Sequence, residues 1–109
     1  MSQVYKALGD PTRRRILQLL REREMSAGEL AAHFDLSKPT LSGHFAVLKE
    51  AGLVDVTRQG TSLIYRLNVS VLEEALMTLM EGFGFNAGRG ARRNGSAAAK
   101  GAAPKGEPT

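Results

Sequence analysis

Hydroxyl and cationic side chains able to contact a polyanion are concentrated between residues 38 and 44. Lys38, Thr40 and Ser42 place an ammonium group and two hydroxyl groups in one short stretch. Hydroxyl groups bond base edges or phosphate oxygens, and lysine attracts phosphate, so this chemistry suits duplex DNA. Taken alone, the spacing favours a plainer interpretation, in which Ser37 is a helix cap and the others are ordinary surface hydroxyls.

Catalytic and metal-binding chemistry has little support elsewhere in the sequence. There is no cysteine, which excludes disulfides and thiolate metal sites and suits a reducing compartment. The two histidines, His33 and His44, fall in different predicted helices, and no phosphate-binding loop or nucleophile–base pair is present. We therefore expect no cofactor and no metal, and an enzyme is the least supported class.

Two helices are predicted before the segment that carries these side chains. Residues 3–8 form a short helix that Gly9 ends. Asp10-Pro11 then starts a helix over residues 11–22, because aspartate accepts from free amides and proline has no N–H to satisfy.

Two more helices contain and precede the candidate contact residues. A capping box from Ser26 to Glu29 starts the third helix, whose apolar face extends to Phe34. Ser37 caps the fourth helix, which ends at Gly52.

The periodicity then changes to that of strands. Residues 53–68 alternate apolar and polar side chains around Arg58-Gln59-Gly60-Thr61, which predicts a β-hairpin. Ser70 is the expected cap of a last helix that reaches about Phe83. The residues expected to face inward on the returning strand are Leu63, Tyr65 and Leu67.

This order of elements predicts a winged helix-turn-helix: a mainly α fold with a β-hairpin wing, in which the fourth helix enters a DNA groove. Leu41, Phe45 and Leu48 recur at helical spacing and should point inward. The context reverses the plainer interpretation of the hydroxyls. The residues left outward are Pro39, Thr40, Ser42, Gly43 and Ala46.

Three further residues have two interpretations each. His44 lies at the edge of the inward face, where a packing role and a phosphate contact are equally supported. Arg58 and Gln59 at the hairpin tip are by default solvated, but beside a helix-turn-helix they are candidates for minor-groove or backbone contact.

The sequence resembles the ArsR family of bacterial repressors in residues 6–17 (KALGDPTRRRIL), 37–45 (SKPTLSGHF) and 51–54 (AGLV). The similarity spans about residues 3–83. It implies a homodimer held by its first and last helices, which represses by covering a palindromic promoter site. The DNA contacts that it implies are Lys38, Thr40, Ser42, Gly43, His44, Arg58 and Gln59. The implied dimer interface is Val4, Leu8, Leu72, Leu76, Leu79, Met80 and Phe83.

The resemblance also favours the metal-independent, autorepressor branch of that family. Metal-sensing members carry a cysteine pair where this sequence has Ser26 and Gly28. The other common site uses histidines of the last helix, which here has only glutamates. Gly43 departs from many relatives, which have a longer polar or basic side chain there, so base contact at that position is in doubt.

We expect one domain over residues 1–85 and a disordered Gly/Ala/Pro-rich tail over residues 86–109. The net charge of +4 belongs entirely to the tail, so it does not by itself indicate a DNA-binding domain. The tail could add nonspecific DNA affinity or act as a spacer. No membrane span or signal peptide is expected, which suits a bacterial cytoplasmic protein that is associated with the nucleoid when bound to DNA.

An alternative function is a winged-helix module that binds a protein partner and has little DNA specificity. Gly43 and the neutral folded segment favour it. Salt dependence separates the two hypotheses, because phosphate contacts release counterions.

Overall fold

The computed structural model describes residues 2–85, so the expected tail at residues 86–109 lies outside the described residues. The mainly α fold with a hairpin wing is confirmed. The chain divides after Leu72 into two units, and the last helix begins in the first unit. The elements are α1 (Ser2–Leu8), α2 (Pro11–Glu22), β1 (Met25–Ser26), α3 (Ala27–Ala31), α4 (Lys38–Glu50), β2 (Val54–Gln59), β3 (Ser62–Leu67) and α5 (Val69–Gly82).

Side-chain caps start α2 and α3 as the sequence predicts. Asp10 Oδ1 accepts hydrogen bonds from the backbone N–H groups of Thr12 at 2.8 Å and Arg13 at 3.2 Å. Ser26 Oγ accepts from Glu29 N–H at 3.0 Å, and Glu29 Oε1 accepts from Ser26 N–H at 2.8 Å. These bonds satisfy amides that have no partner inside the helix, so both starts are defined locally.

Two helix boundaries differ from the sequence expectation. Helix α3 ends at Ala31, and the chain leaves it through tighter bonds such as that from Phe34 N–H to the Ala31 carbonyl at 3.1 Å. Helix α5 is capped by Asn68 rather than by Ser70. The Asn68 Oδ1 atom accepts from Val71 N–H at 3.3 Å, and the helix begins at Val69, two residues earlier than a cap at Ser70 would place it.

A three-stranded antiparallel sheet in the order β1-β3-β2 forms the wing and its base. Tyr65 of β3 is paired with Val56 on one side and with Met25 of β1 on the other. Beside β1, Arg66 Nε donates to Glu24 Oε1 at 3.0 Å. The base of the hairpin is therefore attached to the segment that follows α2, a connection that the sequence did not predict.

The core of the first unit lies between the helices and the inner face of the sheet. Val4 of α1 is 6% exposed, so it belongs to this core and leaves little surface for a partner subunit. The assignment of Val4 to a dimer interface stays a prediction. The four largest fully buried side chains are Ile16, Leu30, Leu48 and Leu53.

Truncating Leu48 tests the packing of α4. Leu48 is 0% exposed, so we expect Leu48→Ala to lower the free energy of unfolding by about 2–5 kcal/mol, through lost burial and the cavity that remains. Urea unfolding at a fixed protein concentration measures this change. The control is Leu36→Ala, because Leu36 is 41% exposed and its loss should cost less than about 0.5 kcal/mol. Equal losses in the two variants would contradict the assignment.

Candidate nucleic-acid interface

The outward side of α4 is exposed along the helix. Leu41, Phe45 and Leu48 are buried on the opposite side, as predicted. Lys38 is exposed at the start of the helix. The small or hydroxylated residues predicted to face outward are also all exposed: Pro39, Thr40, Ser42, Gly43 and Ala46. Within residues 2–72, no other element covers this side.

Hydrogen bonds at the start of α4 prepare one hydroxyl group for an outside acceptor. Ser37 Oγ accepts from Thr40 N–H at 3.3 Å and donates to Thr40 Oγ1 at 2.8 Å. Because Thr40 Oγ1 already accepts this bond, its own proton is left to donate elsewhere.

The free amides expected in this turn are mostly used by the protein. Thr40 N–H is bonded to Ser37, Leu41 N–H donates to the Ser37 carbonyl at 3.0 Å, and Pro39 has no N–H. Among the residues described, Lys38 therefore supplies the one first-turn amide that has no protein acceptor. Anion binding here depends on that amide, the lysine charge and the helix dipole.

Two shallow hollows run along the sides of α4, and Ser42 borders both. One, of about 300 Å³, lies towards α3 and includes Lys38 in its lining. The other, of about 220 Å³, lies towards Tyr65 of the wing and includes Lys49. Sequence reasoning missed Lys49, although Ser42, Ala46 and Lys49 at i, i+4 and i+7 share one stripe of a helix.

Gly43 occupies open space on the outward side of α4. A Cβ atom added there would meet no atom within 4 Å, and the residue has no positive φ that would require glycine. Its missing side chain therefore matters for what approaches the helix and not for packing. The surface between the flanking Thr40 and Ser42 is low and without a polar group at this position.

Arg58 and Gln59, which were predicted together as contact residues, lie on opposite faces of the wing. Val56 and Arg58 are two apart in β2, so Arg58 shares the inner face, which packs towards α4, whereas Gln59 points to the other face. Gly60, with φ of +63°, and Thr61 form the tip. Leu63, opposite Arg58, shares the inner face as its spacing from Tyr65 predicts, but it is 37% exposed because it lies beyond the core.

An aromatic contact joins α4 to the wing. The ring centroids of Phe45 and Tyr65 are 4.8 Å apart in a tilted arrangement, and both side chains are buried. Burial raises the pKa of the Tyr65 phenol, which therefore stays protonated at neutral pH. This contact fixes the position of the wing relative to α4.

His44 is partly buried and contacts a residue that sequence reasoning did not select. Arg13 Nη1 lies 3.2 Å from His44 Nδ1, and Asp10 is close enough to interact with His44 electrostatically. Partial desolvation raises the pKa of Asp10, but the backbone N–H donors of Arg13 and Thr12 outweigh it. Together with the electrostatic interactions of Asp10 with His44 and Arg13, they hold that pKa below its ordinary value.

The two positions at which the resemblance would place a metal-binding cysteine pair contain no metal ligand. Ser26 caps α3 and Gly28 lies within it. His33 is exposed on the segment after α3, while His44 lies against Arg13. No group of three or more histidine, cysteine, aspartate or glutamate side chains converges anywhere in residues 2–85.

The described part of the second unit carries an apolar helix face. Residues 76, 79, 80 and 83 recur at helical spacing, so their side chains share one side of the last helix and its end. Although α5 is apolar, neither it nor any other helix in residues 2–85 is long and apolar enough to cross a membrane. The exposed fractions are 45% for Leu76, 41% for Leu79, 40% for Met80 and 74% for Phe83.

Comparison of the sequence with known proteins supports the same interpretation. The model of the bacterial regulatory proteins of the arsR family matches residues 10–56. The transcriptional repressor SdpR of Bacillus subtilis is 45% identical over 76 residues, which cover 70% of this chain and 84% of that protein. The arsenical resistance operon repressor of Staphylococcus xylosus is 40% identical over 73 residues, or 67% of this chain and 70% of that protein.

Solved structures share the fold. A crystal structure of a possible transcriptional regulator for arsenical resistance superposes with a TM-score of 0.67 and 40% identity, and covers 76% of this chain and 84% of the other. The matched region includes the helix-turn-helix whose outward side is bare. The chain therefore belongs to the ArsR family, and it is a DNA-binding transcriptional repressor rather than an enzyme.

Proposed function

We propose that the chain represses transcription as a homodimer that occupies a palindromic promoter site, without sensing a metal ion. The observation that carries this proposal is the bare outward side of α4, with Thr40 and Ser42 exposed and Arg58 on the same side of the wing. Lys38 and Arg58 would contact phosphates, which fix position and orientation. Thr40 and Ser42 would reach base edges in the major groove.

The exposed apolar face of α5 supports a dimer. Leu76, Leu79, Met80 and Phe83 are between 40% and 74% exposed in the single chain, which is costly for a protein that stays monomeric. Leu8 and Leu72 are partly exposed and complete the proposed interface. Two-fold symmetry would place the two α4 helices in successive major grooves, about 34–36 Å apart.

Residue chemistry supports metal independence. The sequence has no cysteine, and Ser26 and Gly28 stand where metal-sensing relatives have thiolates. The last helix supplies Glu73, Glu74 and Glu81 but no histidine, which is a poor set for zinc. We expect operator affinity to agree within about two-fold in a chelator and in excess Zn²⁺ or arsenite. Without a metal site, metal binding cannot be coupled to DNA binding. A larger change would overturn this part.

Footprinting of genomic DNA with the purified full-length chain tests the proposal. We expect a protected site with two-fold symmetry close to a promoter, bound at least about 10³-fold more tightly than random duplex at moderate salt. Equal affinity for both DNAs would overturn sequence-specific repression. A salt slope near zero, together with binding to a protein partner, would favour the interaction module instead.

Replacing Arg58 tests the wing. We expect Arg58→Gln to reduce the slope of log affinity against log salt by about 0.9 for each subunit that contacts a phosphate through this residue. The control is Arg21→Gln, which removes the same charge from α2, where Arg21 pairs with Glu22 at 3.4 Å. The control should leave the slope unchanged. Equal slopes for the two variants would remove Arg58 from the interface.

A further inference from the structure

Arg13 connects the first helix to the recognition helix. Its Nε donates to the Ala7 carbonyl at 2.8 Å and its Nη2 donates to the Lys6 carbonyl at 3.0 Å, so it caps the end of α1. Its remaining nitrogen, Nη1, lies 3.2 Å from His44 Nδ1 on α4. One partly buried guanidinium thus bonds to two helices whose bonded residues are far apart in the sequence.

The chemistry of the two groups determines which one donates. A guanidinium has no acceptor, so Arg13 Nη1 must donate and His44 Nδ1 must accept. The accepting nitrogen carries no proton, which places the imidazole proton on Nε2. His44 is neutral in this arrangement, and Nε2–H is its only donor.

We propose that Arg13 is a positioning residue, which fixes the His44 ring so that its Nε2–H donates to a DNA phosphate. This inference rests on the proposed function, because it assigns His44 a phosphate contact within that interface. His44 is partly exposed and follows Gly43 on α4, whose outward side is bare. His44 can then have both roles considered for it: Nδ1 contacts Arg13 within the protein, and Nε2 contacts the phosphate.

The same residue connects α4 to the end of α1. The carbonyls that Arg13 caps belong to Lys6 and Ala7, directly before Leu8 of the proposed dimer interface. A displacement of the end of α1 therefore changes the three-way bonding of Arg13 and releases the His44 ring.

Charged groups of α2 and its cap lie beside the His44 ring. Arg13 faces the ring from α2, and Asp10 at the start of α2 supplies the opposing negative charge. A proton on Nδ1 would set an imidazolium against the guanidinium at 3.2 Å and remove the acceptor.

The first experiment reads the ring in the free full-length chain by ¹⁵N NMR of labelled histidine. We expect His44 to be protonated on Nε2 and bare on Nδ1 at neutral pH. In Arg13→Gln, we expect mixed tautomers of the His44 ring. The control is Arg14→Gln, because Arg14 Nη1 also caps α1, through the Leu8 carbonyl at 2.7 Å, but Arg14 has no contact with His44. The control should leave the ring unchanged.

The second experiment is a double-mutant cycle on operator affinity. We expect Arg13→Gln and His44→Ala each to lower operator affinity by about five- to twenty-fold. The affinity of the double variant should agree within about two-fold with that of the more defective single variant. Arg14→Gln should stay within about two-fold of the unaltered chain. If the fold-loss of the double variant equals the product of the two single losses, the two residues act independently and the positioning role is overturned.

The outcomes separate this inference from the proposed function. A proton on Nδ1 of His44, or a ring that Arg13→Gln leaves unchanged, overturns the positioning role even if the operator is bound tightly. Absence of operator binding by the unaltered chain overturns the proposed function, and the phosphate contact of His44 with it.

Discussion

We expect Ser42→Glu to lower operator affinity by about 100-fold, the largest effect expected of a substitution on α4. Ser42 borders the hollows on both sides of α4, so a carboxylate there faces phosphates from either direction. The variant loses a hydroxyl contact worth about 0.5–1.5 kcal/mol and adds repulsion from DNA. Fluorescence anisotropy with operator and random duplexes measures the change.

Two control variants separate the causes of this loss. Ser42→Ala removes the hydroxyl without adding charge and should weaken binding by about ten-fold or less. Gln18→Glu adds the same charge on the exposed side of α2, where Arg15 already donates to Gln18, and should change affinity by less than about two-fold. If Gln18→Glu and Ser42→Glu were equally defective, net charge would explain the loss and the groove assignment would be wrong.

Leu76→Glu converts the proposed dimer into a monomer at micromolar concentration. An unpaired carboxylate buried in an apolar interface costs several kcal/mol, so dissociation should increase by at least about 100-fold. Operator affinity should fall with it, because a monomer contacts one half-site. Sedimentation equilibrium measures the mass, and binding to a full and a half operator measures the consequence.

Thr78→Glu is the matched control for this variant. Thr78 is exposed and lies two residues from Leu76, on the opposite side of the helix. The same carboxylate at this position should leave the dimer and its operator affinity intact. A monomeric Thr78→Glu variant, or a dimeric Leu76→Glu variant, would exclude the α5 face as the interface.

Local signals made most of the helical framework predictable. The caps at Asp10, Ser26 and Ser37 act within three residues, so their donors and acceptors are visible in the sequence. The inward side of α4 followed from the spacing of Leu41 and Phe45 and was confirmed. The DNA contacts assigned by the resemblance remain predictions.

Features that depend on distant pairing were not predictable. Strand β1 has two residues, too few for a periodic pattern, and exists because Met25 pairs with Tyr65. Arg13 reaches His44 across 31 positions, a distance over which sequence spacing carries no signal. The burial of Val4 depends on what packs over α1, which its spacing from Leu8 does not specify.

The anchoring of the wing has a consequence for how DNA could be selected. Pairing with β1, the Glu24–Arg66 bond and the Phe45–Tyr65 contact leave the hairpin base little freedom to rotate about α4. If the distance between α4 and the wing tip is fixed, the protein favours duplexes whose minor-groove width matches that distance. Since Gly43 offers no group to a base, we expect preference to follow the stiffness of A-tracts at positions that no side chain touches.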